Sequence, residues 1–172
     1  MFGRVWSIVV GALVMGGAAI GCTARGVTAE EETLRDLGEI ARAYEVVIAA
    51  SQRPPRDVSQ IEKVLADLHT DGLVADKPAD VLTSPRDGQC YVIILGADLG
   101  AQNSPEILAY ESQGAGGTRY ALLMSRDIKQ LADEEFAAAP FAMGHKPAAS
   151  APATRESGGK QPTADLSKAG AQ

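Results

Sequence analysis

The sequence is poor in the side chains that most catalytic and metal sites use. Its 172 residues include two histidines and two cysteines, and neither pair is closely spaced. Histidine is the usual proton donor or acceptor near neutral pH, and zinc sites need closely spaced cysteine or histidine ligands. A phosphate-binding loop, a Gly-x-Ser-x-Gly elbow and an aspartate-rich calcium loop are also missing. We therefore predict no catalytic residues, no cofactor and no metal, and we expect a protein that is not an enzyme.

A basic surface is missing as well. Residues 22–139 hold 11 basic and 20 acidic side chains, a net charge of −9. Surfaces that bind nucleic acid need clustered lysine and arginine, so we predict no nucleic-acid partner. A stretch of this length suits one domain with one modest core, which excludes a two-domain enzyme.

The few reactive side chains have simple interpretations. His69 and Asp71 could form a proton-transfer pair, but the absence of a partnering nucleophile favours a histidine that interacts with a helix carboxyl terminus. Cys90 begins an apolar run, which predicts a buried and unreactive thiol. The glycine-rich residues 114–117 join two predicted strands, which favours a flexible hairpin loop over a phosphate cradle.

Residues 1–21 have the layout of an export signal. Arg4 is followed by an uncharged stretch that ends at Gly21, directly before Cys22. A positive start, an apolar centre and small residues before the cut define such signals. The stretch is at the lower length limit for a bilayer span, and its glycines weaken a permanent helix. The alternatives are an ordinary cleaved signal with a coincidental cysteine and an uncleaved anchor helix.

The run Ala19-Ile20-Gly21-Cys22 resembles the lipobox of bacterial lipoprotein precursors. The resemblance implies cleavage between Gly21 and Cys22, a diacylglyceryl group on the Cys22 thiol and acylation of the new amino terminus. Membrane lipid is therefore the predicted partner, since two or more acyl chains anchor a protein stably. The resemblance also implies a protein that faces the periplasm or the cell exterior. Outer-membrane sorting is favoured because Thr23 stands where some bacteria use aspartate as an inner-membrane signal.

Two amphipathic helices are predicted next. Thr28 and Glu31 have the spacing of a capping box, and apolar residues then recur every three or four positions, which predicts a helix over Ala29–Ser51. Its apolar face is predicted at Leu34, Leu37, Ala41, Tyr44, Val47 and Ile48, and its solvated face at Glu31, Glu32, Arg35, Asp36, Glu39 and Arg42.

The second helix begins at a cap signal on Asp57 and ends near His69, with Gly72 as its C-terminal cap. A short link containing two prolines joins it to the first helix and predicts a helical hairpin. One more helical turn is predicted within residues 77–82.

A small sheet is predicted from residue 90 onward. Residues 90–95 form a continuous apolar run, consistent with a strand buried on both faces. Residues 107–110 and 120–124 give two further strands, residues 128–131 a short fourth one, and residues 133–136 a last helical turn. Short spacing between these strands favours antiparallel pairing.

The predicted fold class is therefore α+β: a helical hairpin, an antiparallel sheet of three to four strands and a short helical turn. Residues 22–139 form this single domain behind a short N-terminal tether. Residues 140–172 are rich in alanine, proline, glycine and serine, and large apolar side chains are too few to offset the entropy of ordering. We predict that they form a disordered tail.

The C-terminal half resembles small uncharacterised bacterial envelope proteins over residues 106–139. The resemblance rests on a Leu-Ala-Tyr-Glu run, a glycine pair, a Leu-Met pair and a closing Glu-Glu-Phe, at residues 108–111, 116–117, 123–124 and 134–136. It implies a sheet similar to the globular head of pilin-like and pseudopilin-like proteins, and no known activity.

These observations leave three functional hypotheses. The first is a lipid-anchored envelope module that binds or scaffolds a partner protein, with the sheet edge and residues 102–105 and 113–117 as the candidate surface. The second is a pilin-like component of a secretion or assembly machine, which would self-associate through the helix Ala29–Ser51. The third is an envelope hydrolase, which would need polar groups crowded into one cleft.

Lipidation gives the first testable prediction. Cells fed radiolabelled palmitate should label the wild-type protein, because the Cys22 thiol and the new amino terminus are the predicted acylation sites. Cys22→Ser should abolish the label, and Cys90→Ser, the matched control, should retain it. Labelling of the Cys22→Ser protein would contradict the assignment.

Overall fold

The computed structural model describes residues 26–99 and 103–147, and it has the predicted α+β fold. Four α-helices, one 3₁₀ turn and one four-stranded antiparallel sheet lie within these residues. The helices are α1 (Ala29–Ser51), α2 (Val58–Thr70), α3 (Pro78–Val81) and α4 (Asp133–Ala138), and the 3₁₀ turn is Ala142–Gly144. The strands are β1 (Val92–Ile93), β2 (Ile107–Tyr110), β3 (Thr118–Leu123) and β4 (Ile128–Ala132).

Local capping fixes both ends of the helical hairpin, as predicted. The Glu31 amide donates to Thr28 Oγ1 over 3.2 Å, and the Thr28 amide donates back to Glu31 Oε2 over 2.9 Å. At the end of α2, Gly72 has φ 71°, and the amides of Gly72 and Leu73 bond the carbonyls of His69 and Leu68. This is a Schellman motif, in which glycine tolerates the left-handed conformation.

The buried face of α1 differs from the prediction. Leu34, predicted on the apolar face, is 40% exposed, whereas Asp36, predicted on the solvated face, is 4% exposed. The helix is oriented by Tyr44, whose hydroxyl donates to the Ala97 carbonyl (2.9 Å) and accepts from the Ala97 amide (3.1 Å). That orientation turns Asp36 towards the loop before β1 and leaves Leu34 outside.

The sheet is a simple meander in the order β1-β2-β3-β4. Every neighbouring pair is antiparallel, with Tyr110 opposite Ala121 and Leu122 opposite Ile128 in the register. The strand predicted over residues 90–95 is confirmed only at Val92–Ile93, and its predicted burial on both faces is wrong. The observed β1 has two half-buried residues at the edge of the sheet, and the strands buried on both faces are the central β2 and β3.

A buried carboxylate ties the loop before β1 to these central strands. Glu111 is fully buried and accepts from the Ser84 hydroxyl (2.8 Å), Arg86 Nη1 (2.6 Å) and the Tyr120 amide (2.7 Å). The Arg86 guanidinium also lies 4.7 Å from the centre of the Tyr120 ring. We call these four residues the Glu111 clamp. Because each carboxylate oxygen is hydrogen-bonded, the clamp offsets the cost of burying its charge.

The clamp also holds the glycine-rich hairpin loop. Arg86 Nη2 donates to the Ala115 carbonyl (3.0 Å), and Asp87 accepts from the amides of Gln113 (2.9 Å) and Gly114 (2.8 Å). Gly114 has φ 72°, and a Cβ there would lie 2.3 Å from the Thr118 carbonyl oxygen. The hairpin is confirmed, but its loop is bonded to neighbouring residues and is not the flexible segment that we predicted.

The domain extends beyond the predicted boundary at Ala139. Phe141 and Ala142, assigned above to a disordered tail, are 8% and 0% exposed, and the Ile107 amide donates to the Pro140 carbonyl over 2.9 Å. Residues 140–147, which we call the strap, contact the face of the sheet that carries Tyr110. Because β2 and β3 are buried on both faces, this second face needs a cover, and α4 and the strap provide it. Residues 148–172 lie outside the described residues.

The clamp predicts a coupled stability effect. Glu111→Leu leaves Arg86 buried without its partner and should lower the unfolding free energy by about 3 to 5 kcal/mol. Adding Arg86→Met removes the stranded charge, so the double variant should recover part of that loss. Urea unfolding of the full chain measures both, with the exposed Glu134→Gln as control. Additive losses in the double variant would show that the two side chains act independently.

Candidate functional site

The predicted lipidation site lies outside the described residues. Gly21 and Cys22 both precede Gly26, the first described residue. In the described part of the chain, each helix is too short or too polar to cross a bilayer.

The structure explains His69 without invoking catalysis. Its Nδ1 atom lies 3.1 Å from the Val74 carbonyl oxygen, so the ring bonds the chain just after α2. Asp71 is the C-terminal cap residue of the same helix and is exposed. Within the described residues no hydrogen bond or ion pair joins the two side chains, so the contacts favour the interpretation as a helix-end histidine.

The prediction that Cys90 is buried is wrong. Its side chain is exposed, and the residue forms an isolated bridge with Thr83 at the sheet edge. The apolar run that follows misled the prediction, because burial here begins with Tyr91, which is 6% exposed. An exposed thiol at an edge is accessible to solvent.

Of the candidate binding surface, residue 102 lies outside the described residues, and the loop of residues 113–117 is bonded to Asp87 and Arg86. The described residues contain no cluster of three or more histidine, cysteine or carboxylate side chains arranged to hold a metal ion. The described residues do form an apolar groove and a smaller acidic cleft.

The larger site is an apolar groove of about 820 Å³ beside the strap. Its lining is contributed by β3, by α4 and the residue after it, and by the strap: Arg119, Asp133, Phe136, Ala137, Ala139, Pro140, Phe141, Gly144, His145, Lys146 and Pro147. Ligand pockets typically measure 300–1,000 Å³ and combine apolar walls with a few polar groups. The groove has this composition.

Packed aromatic rings lie at the groove, where Phe136 and Phe141 are part of the lining. The Phe136 and Phe141 rings meet edge to face with centroids 5.2 Å apart, and Tyr110 lies 4.9 Å from Phe136. The Tyr110 hydroxyl lies 3.0 Å from His145 Nε2, which attaches the end of the strap to the sheet. Burial raises the pKa of the Tyr110 hydroxyl above its ordinary value.

Arg119 forms the floor of the groove next to these rings. Its guanidinium carbon lies 4.8 Å from the Phe136 ring centre, and its Nε donates to Asp133 Oδ1 over 3.1 Å. The side chain of Arg119 is 5% exposed, whereas that of Asp133 is 55% exposed. The groove therefore combines aromatic walls with a compensated ion pair and with the basic side chains of Lys146 and His145.

The smaller site is an acidic cleft of about 350 Å³ between α1, α3 and the loop before β1. It is lined by Glu32, Arg35, Asp36, Asp76, Asp80, Thr83, Ser84, Pro85 and Gly88. Arg35 Nη2 lies 2.5 Å from Asp76 Oδ2 and 3.7 Å from Asp36 Oδ1. One guanidinium is thus shared by two of the four carboxylates.

Asp36 is the chemically unusual residue of the acidic cleft. Burial raises the pKa of its carboxyl to about 7, Asp76 and Glu32 act in the same direction, and Arg35 opposes them. The Tyr91 side chain also lies beside Asp36, and burial raises the pKa of its hydroxyl. A carboxyl group that titrates near neutrality can take up or release a proton under physiological conditions.

No protein-family model, no curated protein and no solved structure matches this chain. The assignment of a site therefore depends on geometry alone. Sequence reasoning missed both concave sites, because the groove is built from a segment that we assigned to the tail and the cleft from an aspartate that we assigned to solvent. The sequence signal for the groove was the pair Phe141 and His145, close after the last helical turn.

The raised pKa of Asp36 predicts a pH-dependent stability. In the pH range between about 4 and 7 the folded state binds a proton that the unfolded state releases, so stability falls as pH rises through this range. From pH 5 to pH 8, wild type should lose on the order of 2 kcal/mol more unfolding free energy than Asp36→Asn. Asp67→Asn, an exposed control, should keep the wild-type pH dependence. Parallel curves for wild type and Asp36→Asn would contradict the prediction.

Proposed function

We propose that this protein is a lipid-anchored module of the bacterial envelope that binds a partner through the apolar groove. Acylated Cys22 attaches it to a membrane, facing the periplasm or the cell exterior. The function is binding or scaffolding rather than chemistry. The single observation that carries the proposal is the groove itself, an apolar concavity with polar groups at its edges.

Two features support a binding role for the groove. Its apolar walls belong to side chains fixed by mutual contact, since Phe136, Phe141 and Tyr110 pack as one cluster. A preformed apolar surface loses little side-chain entropy when a partner binds, which favours affinity. The Arg119–Asp133 ion pair and Lys146 add polar groups that can orient a ligand.

The proposed anchor suits this role. Few residues separate Cys22 from the first residue of α1, and a chain of that length spans at most roughly 25 Å when extended. An acyl anchor at Cys22 would therefore keep the domain close to the bilayer and concentrate it in two dimensions. Weak contacts with another membrane-attached protein would then suffice for function.

The alternatives receive less support. A pilin-like assembly would use the apolar stripe of α1, but Leu37 and Tyr44 of that stripe are fully buried within the domain. A hydrolase is favoured by one observation, the acidic cleft with its neutral-range Asp36. However, the Ser84 hydroxyl that lines this cleft donates its hydrogen bond to Glu111, which is not a residue of the cleft.

Site-specific photocrosslinking in living cells tests the proposal. Ala137 lines the groove and is exposed, so a photoreactive benzoylphenylalanine at this position would face a bound partner. Illumination should give a discrete adduct of higher mass. The matched control places the same group at Lys63, an exposed position of α2. Equal adducts at both positions, or none at Ala137, would contradict a binding role for the groove.

A further inference from the structure

Met143 combines two unfavourable features at one position of the strap. Its side chain is 70% exposed, the highest value among the exposed large apolar side chains of the described residues. Its backbone has φ 54°, in the left-handed region that side chains other than glycine rarely adopt. Strained residues persist where the surroundings impose them, and they concentrate at functional sites. The strap thus holds an apolar side chain in solvent.

This projecting side chain lies directly beside the groove. Phe141 and Gly144, which flank Met143 closely in the chain, both line the groove, whereas Met143 itself does not. One face of the domain therefore carries an apolar projection next to an apolar cavity. Such a face is self-complementary, because two copies related by a two-fold axis can each insert a projection into the cavity of the other.

The charges on this face are self-complementary too. Glu134, in the first turn of α4, is an exposed acid, Asp133 beside it is exposed but paired with Arg119, and Lys146 of the strap is an exposed base. In a two-fold arrangement the acids of one copy can approach the base of the other. An acidic protein of another kind could form an ion pair with Lys146. However, the acids of α4 would repel it, and it would offer no cavity for the Met143 side chain. The face is therefore better matched to a second copy.

We propose that the groove binds the Met143 side chain of a second copy of this chain, which forms a two-fold symmetric dimer. This inference rests on the proposed function, since it names the partner of the same groove. Methionine suits the role, because its flexible thioether packs well against aromatic rings such as Phe136 and Phe141.

Sedimentation of the full chain in density-matched detergent tests the dimer. Wild type should dimerise with rising concentration. Met143→Lys should weaken association about a hundredfold or more, because each dimer loses two buried methionine contacts. Leu73→Lys replaces another exposed apolar residue, 55% exposed, and should leave the association unchanged. Met143→Gly should also abolish the dimer without destabilising the fold, since glycine relieves the left-handed strain.

Disulfide trapping tests the geometry. Two differently tagged chains, one with Met143→Cys and the other with Ala137→Cys, both carrying Cys22→Ser and Cys90→Ser, are mixed and oxidised. The heterodimer should form efficiently. Replacing Met143→Cys by Leu73→Cys in the first chain should prevent it.

Three outcomes would overturn the inference: a monomer at all concentrations, a dimer that survives Met143→Lys, or trapping that is equally efficient from Leu73→Cys. If the photoreactive group at Ala137 captures a different protein while the chain sediments as a monomer, the dimer is wrong but the binding role of the groove stands. If Ala137 captures nothing in cells, the proposed function itself fails.

Discussion

The ion pair between Glu111 and Arg86 is the interaction on which the rest of the domain depends. The Glu111 side chain is 0% exposed and the Arg86 side chain is 7% exposed, and their ion pair joins the loop before β1 to the central strands. That loop supplies one wall of the acidic cleft, and Tyr91 immediately follows it in the core. A buried carboxylate of this kind contributes mainly to the specificity of the fold, because an arrangement that lacked one of its hydrogen-bond partners would leave the charge uncompensated in the interior. The clamp thus specifies one position for the loop.

The second constraint is that both central strands are buried on both faces. The helical hairpin covers the face that carries Glu111 and Tyr120, and the other face needs its own layer. This layer consists of α4, which has six residues, and of the strap, so it is thin. Because the cover is thin, it leaves the groove between α4 and the strap. The groove is therefore a direct consequence of how a small domain finishes its core.

Features that depend on neighbouring residues could be predicted from the sequence, and features that depend on packing could not. Cap residues predict the capping box at Thr28 and the glycine cap at Gly72. Runs of apolar residues between turn residues predict the strands from residue 107 onward. Asp36 was misplaced because the rotation of α1 is set by Tyr44, which bonds Ala97 far along the chain. The prediction for Phe141 is wrong because composition describes an average over the segment, whereas Phe141 is buried against a sheet face that composition does not reveal.

Electrostatics links the proposed anchor to the groove. Residues 22–139 carry a net charge of −9, so two copies of the domain repel each other in most orientations. The face with the groove is an exception, because Lys146, His145 and the Arg119–Asp133 pair lie beside apolar rings there. Repulsion elsewhere would favour this one orientation and penalise the others. A membrane anchor would supply the local concentration that a weak contact needs, and physiological salt, with a screening length of about 8 Å, would lower the remaining repulsion. In the proposed dimer, the net negative charge of the domain would disfavour other contacts between copies, and the mixed charges of the groove would permit this one.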